Sequence, residues 1–352
     1  MTALERFWQQ LAQYAQQRPG KIALADEQGS IAYADLSTEV QQRADRLRAL
    51  GCRCVALALD NGRDWLLWDL AILRAGLTCV PIAPFFTEAQ RRHLLQTAGV
   101  DTLIGLPDDG ALMREQGFAS TSLGWQRTLF GVGMPSGTAK ITFTSGTTGT
   151  PKGVCLSAEA MLQVADSLRD ACSSLNPQQH LILLPLAVLL DNLGAYTALL
   201  NGASITVPAD SGLHGSQLDM PRLLQVLNHY QPHSLILVPQ LLQALLQAAD
   251  AGAPLPRSLR FIAVGGGRVA PALLDRAEQL SLPVFEGYGL SECASVVCLN
   301  RPGYQRAGTV GKPLPHVDIK LADDGEILVR GAHALGYLGE PASSDEYWPT
   351  GD

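Results

Sequence analysis

The chain has 352 residues, of which 47% are apolar and 17% charged, a balance that suits a large buried core and excludes a disordered segment. Its net charge of −7 speaks against a nucleic-acid or anionic-membrane partner. Seven cysteines (52, 54, 79, 155, 172, 293 and 298) are scattered, and Cys52 and Cys54 lack the second pair or histidine cluster of a zinc site. Reduced thiols in a cytoplasmic protein are therefore expected. Met1 to Trp8 has no basic-then-apolar signal pattern. The longest apolar run, Leu181 to Leu190, contains Pro185 and falls short of the ~20 residues of a membrane helix, so no transmembrane segment is expected.

Apolar residues at helical spacing predict a helix over 4–17, ended by Arg18-Pro19-Gly20. Short strands follow at 21–25 and 31–33, then a helix over 35–50 with Gly51 in the helix-stop position. A strand at 55–59, a helix at 65–74, a strand at 78–82 and a helix at 87–98 with Thr87 as N-cap continue the alternation. Residues 105–139 are less regular, and Gly131 to Gly137 reads as a junction. Beyond it, helices are expected at 158–172, 192–200, 221–229 and 240–249, with strands at 181–184, 204–207, 235–238 and 261–264. From Gly308 the pattern changes to short β segments at 317–321 and 326–329, split by Asp324-Gly325. Strands alternating with helices argue for an α/β body of mainly parallel, helix-covered sheets. The expected division is a first α/β subdomain at 1–135, a second at 136–300 and a β-rich end at 301–352.

Ile141 to Gly153 carries the chemistry. A strand end runs into Ser145, Thr147, Thr148 and Thr150, interleaved with Gly146, Gly149 and Gly153, and Lys152 closes the run. Glycines admit close backbone N–H groups, hydroxyls donate further bonds, and one lysine adds a point charge, which together suit a polyphosphate. A flexible Gly/Thr linker has no reason to set a lone lysine behind a proline at a strand end. The run ends Pro-Lys-Gly, unlike the Gly-Lys-Ser/Thr of the common P-loop. Phe261 to Gly267 is a strand opening into three glycines, where a flat ring can lie on bare backbone, although a tight strand-to-helix turn reads the same way. In Glu286 to Glu292, the aromatic can stack on a purine and the carboxylate can hold Mg²⁺ against phosphate, although a lone Glu is more often a solvated surface group.

Thr144 to Gly153 resembles the phosphate-loop signature of the adenylate-forming superfamily. That superfamily includes acyl-CoA synthetases, aryl-CoA ligases, luciferases and the adenylation domains of nonribosomal peptide synthetases. Tyr33, Leu36, Val80 and Pro81 resemble the family's opening, and Tyr288, Gly289, Ser291 and Glu292 its second motif. The resemblance implies two helix-flanked, mainly parallel sheets in one layered body, with a small barrel-like β subdomain. It implies Ser145, Gly146, Thr147, Thr148, Gly149 and Lys152 on phosphate, and Mg²⁺ shared by Thr144 and Glu292. Gly265, Gly266, Gly267, Glu286, Gly287, Tyr288, Gly289 and Ser291 would contact the nucleotide, and Asp352 the ribose hydroxyls. Lys152, Thr144 and Glu292 would be the catalytic set.

Leu183 to Gly194 resembles the acyl-pocket stretch in outline, with Ala187 to Leu190 where many members have an aromatic and a histidine. The implied pocket comprises Val188, Leu189, Asp191, Asn192, Gly194, Leu290 and Cys293. Asp191 can be read as the partner of a substrate ammonium, or as an acid tied to backbone or a neighbouring base. Cys293 reads better as a packing or pocket-lining thiol than as a nucleophile, since no histidine partner is apparent.

The implied reaction joins a carboxylic acid, fatty or aryl, to AMP from ATP with release of pyrophosphate, then to CoA or an acyl-carrier protein. The alternatives are an adenylation domain that loads an amino or aryl acid onto a carrier protein, and a module that binds ATP or acyl-AMP without turnover. Family members continue through a hinge into a C-terminal lid domain of ~100 residues that supplies a lysine. The sequence ends at Asp352, so it is expected to lack that domain and, by itself, to show impaired activity.

Overall fold

Residues 1–105, 110–128, 132–144, 151–215, 217–343 and 346–352 are described by the computed structural model. Helix α1 (Ala3–Gln17) opens on Thr2, whose hydroxyl accepts from the Glu5 amide while Glu5 reaches back to the Thr2 amide. The chain continues through β1 (Ile22–Asp26), β2 (Gly29–Ala32), α2 (Tyr33–Ala49), β3 (Cys54–Ala58), α3 (Arg63–Ala75) and β4 (Thr78–Pro81). Gly51 and Gly76, with φ of 68° and 73°, stop α2 and α3 in the left-handed conformation that glycine adopts without strain. Thr87 caps α4 (Glu88–Thr97) in a capping box with Gln90, as its spacing predicts.

Next come β5 (Thr102–Gly105), α5 (Gly110–Glu115), β6 (Ala119–Ser120), β7 (Trp125–Gln126), β8 (Thr138–Thr144), β9 (Lys152–Ser157) and α6 (Ala158–Cys172). They lead to β10 (Gln179–Leu181), α7 (Leu189–Leu200), β11 (Ser204–Thr206), β12 (Leu213–His214) and β13 (Gln217–Leu218). After these stand α8 (Met220–Tyr230), β14 (Ser234–Leu237), α9 (Pro239–Asp250), β15 (Phe261–Val264), α10 (Pro271–Gln279) and β16 (Val284–Tyr288). A 3₁₀ turn (Ser291–Cys293) precedes β17 (Cys298–Leu299), β18 (Lys312–Pro313), β19 (Val317–Leu321), β20 (Ile327–Gly331), β21 (Gly336–Tyr337) and β22 (Trp348–Pro349). Helix α7 starts three residues before the expected 192, because Leu189 and Leu190 are apolar on a helix buried nearly all round and periodicity gives no start there.

Two large sheets form the body. One runs β18-β17-β16-β15-β14-β10-β11-β1-β2 and the other β21-β9-β8-β4-β3-β5-β7-β6. Both are parallel at the centre and antiparallel at the flanks, so each is mixed. Strand membership crosses residue 135 in both directions. β1 extends the nine-stranded sheet through Leu24↔Ile205, and β8 joins the other through Cys79↔Lys140. At the β-rich end β19-β20-β22 form a small three-stranded antiparallel sheet, and β18 and β21 are given to the large sheets.

A buried polar knot ties α3, β8 and α7 together. Lys140 Nζ donates to Asp69 Oδ1 at 2.8 Å and to Asn192 Oδ1. Asn192 Nδ2 and Tyr196 OH both donate to Asp69 Oδ2, at 2.9 and 2.6 Å. Lys140 and Asp69 are 2% and 1% exposed, so each charge depends on the other and on these hydrogen bonds.

Candidate active site

β8 and β9 pair antiparallel and place Thr144 opposite Lys152. Of the residues between them, Ser145, Gly146, Thr147, Thr148 and Gly149, which the sequence assigns to phosphate, lie outside the described residues. Lys152 is exposed, with Nζ 5.0 Å from the centre of the Tyr337 ring, a cation–π contact. Tyr337 stands on β21, zipped to β9 through Tyr337↔Val154, and its hydroxyl donates to Glu292 Oε1 at 2.9 Å. The Ala334 amide donates to the Glu292 carbonyl and so fixes the 3₁₀ turn as well. Lys152, from one large sheet, and Glu292, which follows β16 of the other, therefore meet across one tyrosine that sequence reasoning did not assign to the site. The Gly336-Tyr337 pair was its signal.

On the nucleotide side, β15 ends at Val264 and turns through Gly265, Gly266 and Gly267. A Cβ on Gly265 would meet only the Gly287 carbonyl, at 3.5 Å, so that face is bare backbone; one on Gly267 would reach only Pro239, at 3.7 Å. Gly287 and Gly289 have a different cause. A Cβ there would stand 3.0 Å from the Cys298 carbonyl oxygen and 1.6 Å from that of Ser295. Close packing of the chain after the 3₁₀ turn demands glycine at Gly289, whatever is bound, and leaves a side chain at Gly287 tight. Glu286 is buried, and burial pushes its carboxyl above the usual range, opposed by a hydrogen bond from the Val269 amide. It braces the glycine turn from behind and is not in the cavity wall. Tyr288 OH donates to Asp352 Oδ2 at 2.7 Å; burial first, and then that carboxylate, push the phenol pKa up.

A cavity of about 680 Å³ opens between these elements. Thr144, Gly265, Gly266, Gly287, Tyr288, Gly289 and Ser291 are in its wall, as are Val188, Leu189, Gly194 and Leu290 of the expected pocket. Asn192 and Cys293 are not, which corrects their assignment to the pocket; Asp191 stands behind the wall, with Oδ1 3.5 Å from where a Cβ on the wall residue Gly194 would be. Asp191 Oδ2 accepts from the Leu183 and Leu184 amides at 3.0 and 2.7 Å, so it is tied to backbone. Asn192 belongs to the Lys140 knot. Cys293 is fully buried, and burial, then the Glu292 charge, push its thiol up to about 12, which leaves it inert as a nucleophile. Sequence reasoning missed the part of the wall supplied by Phe85, Phe86 and Leu168, and by His180 and Ser234 on β10 and β14. Only Phe85 left a signal, as an aromatic beside a proline.

The family model described as AMP-binding enzyme matches residues 11–338. The chain belongs to this family. It is a family of adenylate-forming acid–thiol ligases. The 2-succinylbenzoate–CoA ligase of Bacillus pumilus (strain SAFR-032) is 26% identical over 370 residues, which cover 95% of this chain and 72% of that protein. The anthranilate CoA ligase AuaEII, solved with anthranoyl-AMP, superposes with a TM-score of 0.84 at 20% identity, covering 100% of this chain and 74% of that one. The O-succinylbenzoate coenzyme A synthetase of Bacillus subtilis, solved with ATP and a magnesium ion, gives 0.79 at 24%, covering 97% and 76%. Both superpositions place the AMP-binding enzyme fold on this chain, mixed sheets included. Among the described residues, no helix is long and apolar enough to cross a membrane.

Proposed function

We propose that the protein activates a carboxylic acid with an aryl or fatty body, joins it to AMP from ATP, and passes it to the thiol of CoA. One observation carries the reading: a single cavity has Thr144, Gly265 and Tyr288 in its wall together with the apolar face of α7. An acid lying against that face gains ~0.8 kcal/mol per buried methylene while its carboxylate stays at the polar end.

In the first step a carboxylate oxygen attacks the α-phosphorus of ATP. The bond to the bridging oxygen breaks, and pyrophosphate leaves with that electron pair. In the second, the CoA thiolate attacks the acyl carbon and AMP leaves. Bare backbone at Gly265 and the Tyr288 ring accept a purine, and Asp352 stands beside Tyr288 where both ribose hydroxyls could donate to it. Lys152 brings a positive charge to the phosphates, and the Tyr337 ring limits where that charge can go. Thr144 and Glu292 would hold magnesium, which neutralises phosphate charge when bound. The donor set fits, since a hard cation of this kind takes one or two carboxylates and leaves its other positions to water and phosphate oxygen.

The test follows pyrophosphate release with ATP, Mg²⁺ and single acids across short, long, aryl and amino classes, then thioester formation with CoA. Release with an aryl or fatty acid and transfer to CoA are expected. Turnover that requires a carrier protein would replace CoA as acceptor, and release with amino acids alone would overturn the acid class. Thermal stabilisation by an acyl-adenylate without release would mark the chain as a binding module.

A further inference from the structure

We propose that the acid held by this cavity carries a hydroxyl group along its body, received between His180 and Asp191 beside Gly194. The inference rests on reading the cavity as the acid site.

His180 on β10 lies in register with Ser234 on β14, and its Nδ1 faces Ser234 Oγ at 3.0 Å. The imidazole is 5% exposed, and its other nitrogen, Nε2, has no partner among the described residues. Asp191 spends Oδ2 on two backbone amides and leaves Oδ1, also buried, with no partner among the described residues. The two orphans stand 3.7 Å apart, too far for a direct hydrogen bond. An atom placed where a Cβ of Gly194 would be lies 3.2 Å from Nε2 and 3.5 Å from Oδ1, within or near hydrogen-bonding reach of both. What stands against that spot is Ile236 Cδ1, at 2.6 Å, the far end of a side chain that can rotate. His180, Gly194, Ser234 and Ile236 all line the cavity.

The depth of this spot is set by the sheet. Ser234, Ile236 and Val238 line the cavity in succession along β14 and just past its end, and Val238 is level with the glycine turn after β15. At ~3.3 Å per residue, Ser234 lies about 13 Å from Val238 and Ile236 about half as far. The group received is thus part-way along the acid, not at its carboxylate.

A hydroxyl satisfies both orphans at once. It donates to Asp191 Oδ1 and accepts from Nε2–H, a tautomer consistent with Ser234 donating to Nδ1. An ether or ketone leaves Asp191 unpaired, and an unsubstituted chain leaves both unpaired and buried, which is the costly case.

The test is calorimetric titration of the whole protein with a saturated acid of about ten carbons, sized to the ~13 Å depth. Its hydroxy isomers and amino isomers are titrated beside it. One mid-chain hydroxy isomer is expected to bind at least about tenfold tighter than the parent. That ratio should collapse in His180→Leu, and in Gly194→Ala, whose methyl takes the space. Reading a ratio within each protein removes any general loss of stability. Equal binding of parent and hydroxy isomers by the wild type would overturn the proposal and leave a buried water as the occupant. Preference for an amino isomer, or a ratio that survives both variants, would overturn it as well. Pyrophosphate release with the parent acid, without any hydroxyl preference, sinks this inference alone. Failure of every acid to bind would sink the proposed function with it.

Discussion

His316 donates through Nε2 to the Val296 carbonyl at 3.0 Å, while its Nδ1 is buried with no partner among the described residues. Protonation would add a second N–H with nothing to receive it. Burial accordingly pushes the imidazole down from 6.5 to about 4, only partly opposed by the bond to Val296. The sign follows directly. Between about pH 6.5 and pH 4 the unfolded chain binds a proton that the folded chain refuses, so stability is full above 6.5 and falls as pH falls through that window. The melting temperature of His316→Gln should decline less steeply than that of the wild type between those pH values. Parallel declines in a pH series of melts would contradict the assignment. Lys152 makes the second prediction at this scale. Lys152→Ala should lower the rate of pyrophosphate release by about 10²–10³-fold, the usual loss for one transition-state charge contact. An unchanged rate would remove it from the phosphate site. Lys152 stood out by its neighbours alone, whereas the Gly336-Tyr337 pair could be linked to it only through β21 pairing with β9.

The knot of Lys140, Asp69, Asn192 and Tyr196 belongs to the scale of elements, because it joins α3, β8 and α7. Lys140 and Asp69 are 71 residues apart in sequence, and no local pattern marks either as buried. Replacing Lys140 by Met would leave the Asp69 charge uncompensated in the interior. The expected cost is ~3–5 kcal/mol, read from urea denaturation at neutral pH. The same variant with Asp69→Leu should recover most of that loss, since removing both partners spares the lone charge; a double variant as unstable as the single one would point to packing instead. This contact also explains why Asn192 was misread. It falls in a stretch resembling a pocket wall, and only the rotation of α7 turned it toward Lys140 and turned Gly194 toward the cavity. Thr87, by contrast, was legible because a capping box is closed within four residues.

At the scale of the molecule the cavity lies where the two large sheets meet, so a ligand there bridges elements distant in sequence. A non-hydrolysable acyl-adenylate analogue at a hundred times its Kd should add about 2.7 kcal/mol to stability. A thermal-shift titration would show this as a melting temperature that keeps rising with ligand, and a flat response would argue against the cavity as the nucleotide and acid site. Much of this architecture was legible in the chain. The alternation of helix and strand, the helix stop at Gly51 and the glycine turns are written in short windows, because caps, turns and hydrophobic period depend on residues a few positions apart. The sequence by itself therefore determined the α/β class, the family resemblance and the two glycine-rich turns that the fold brings to one cavity. Strand order, the exchange of β1 and β8 between the sheets, and the true cavity wall were decided only by tertiary structure. The physical reason is visible in α7. Residues Leu189, Asp191, Asn192, Leu193, Gly194, Ala195 and Tyr196 are all buried, so no solvent face shows in the sequence which way the helix is turned.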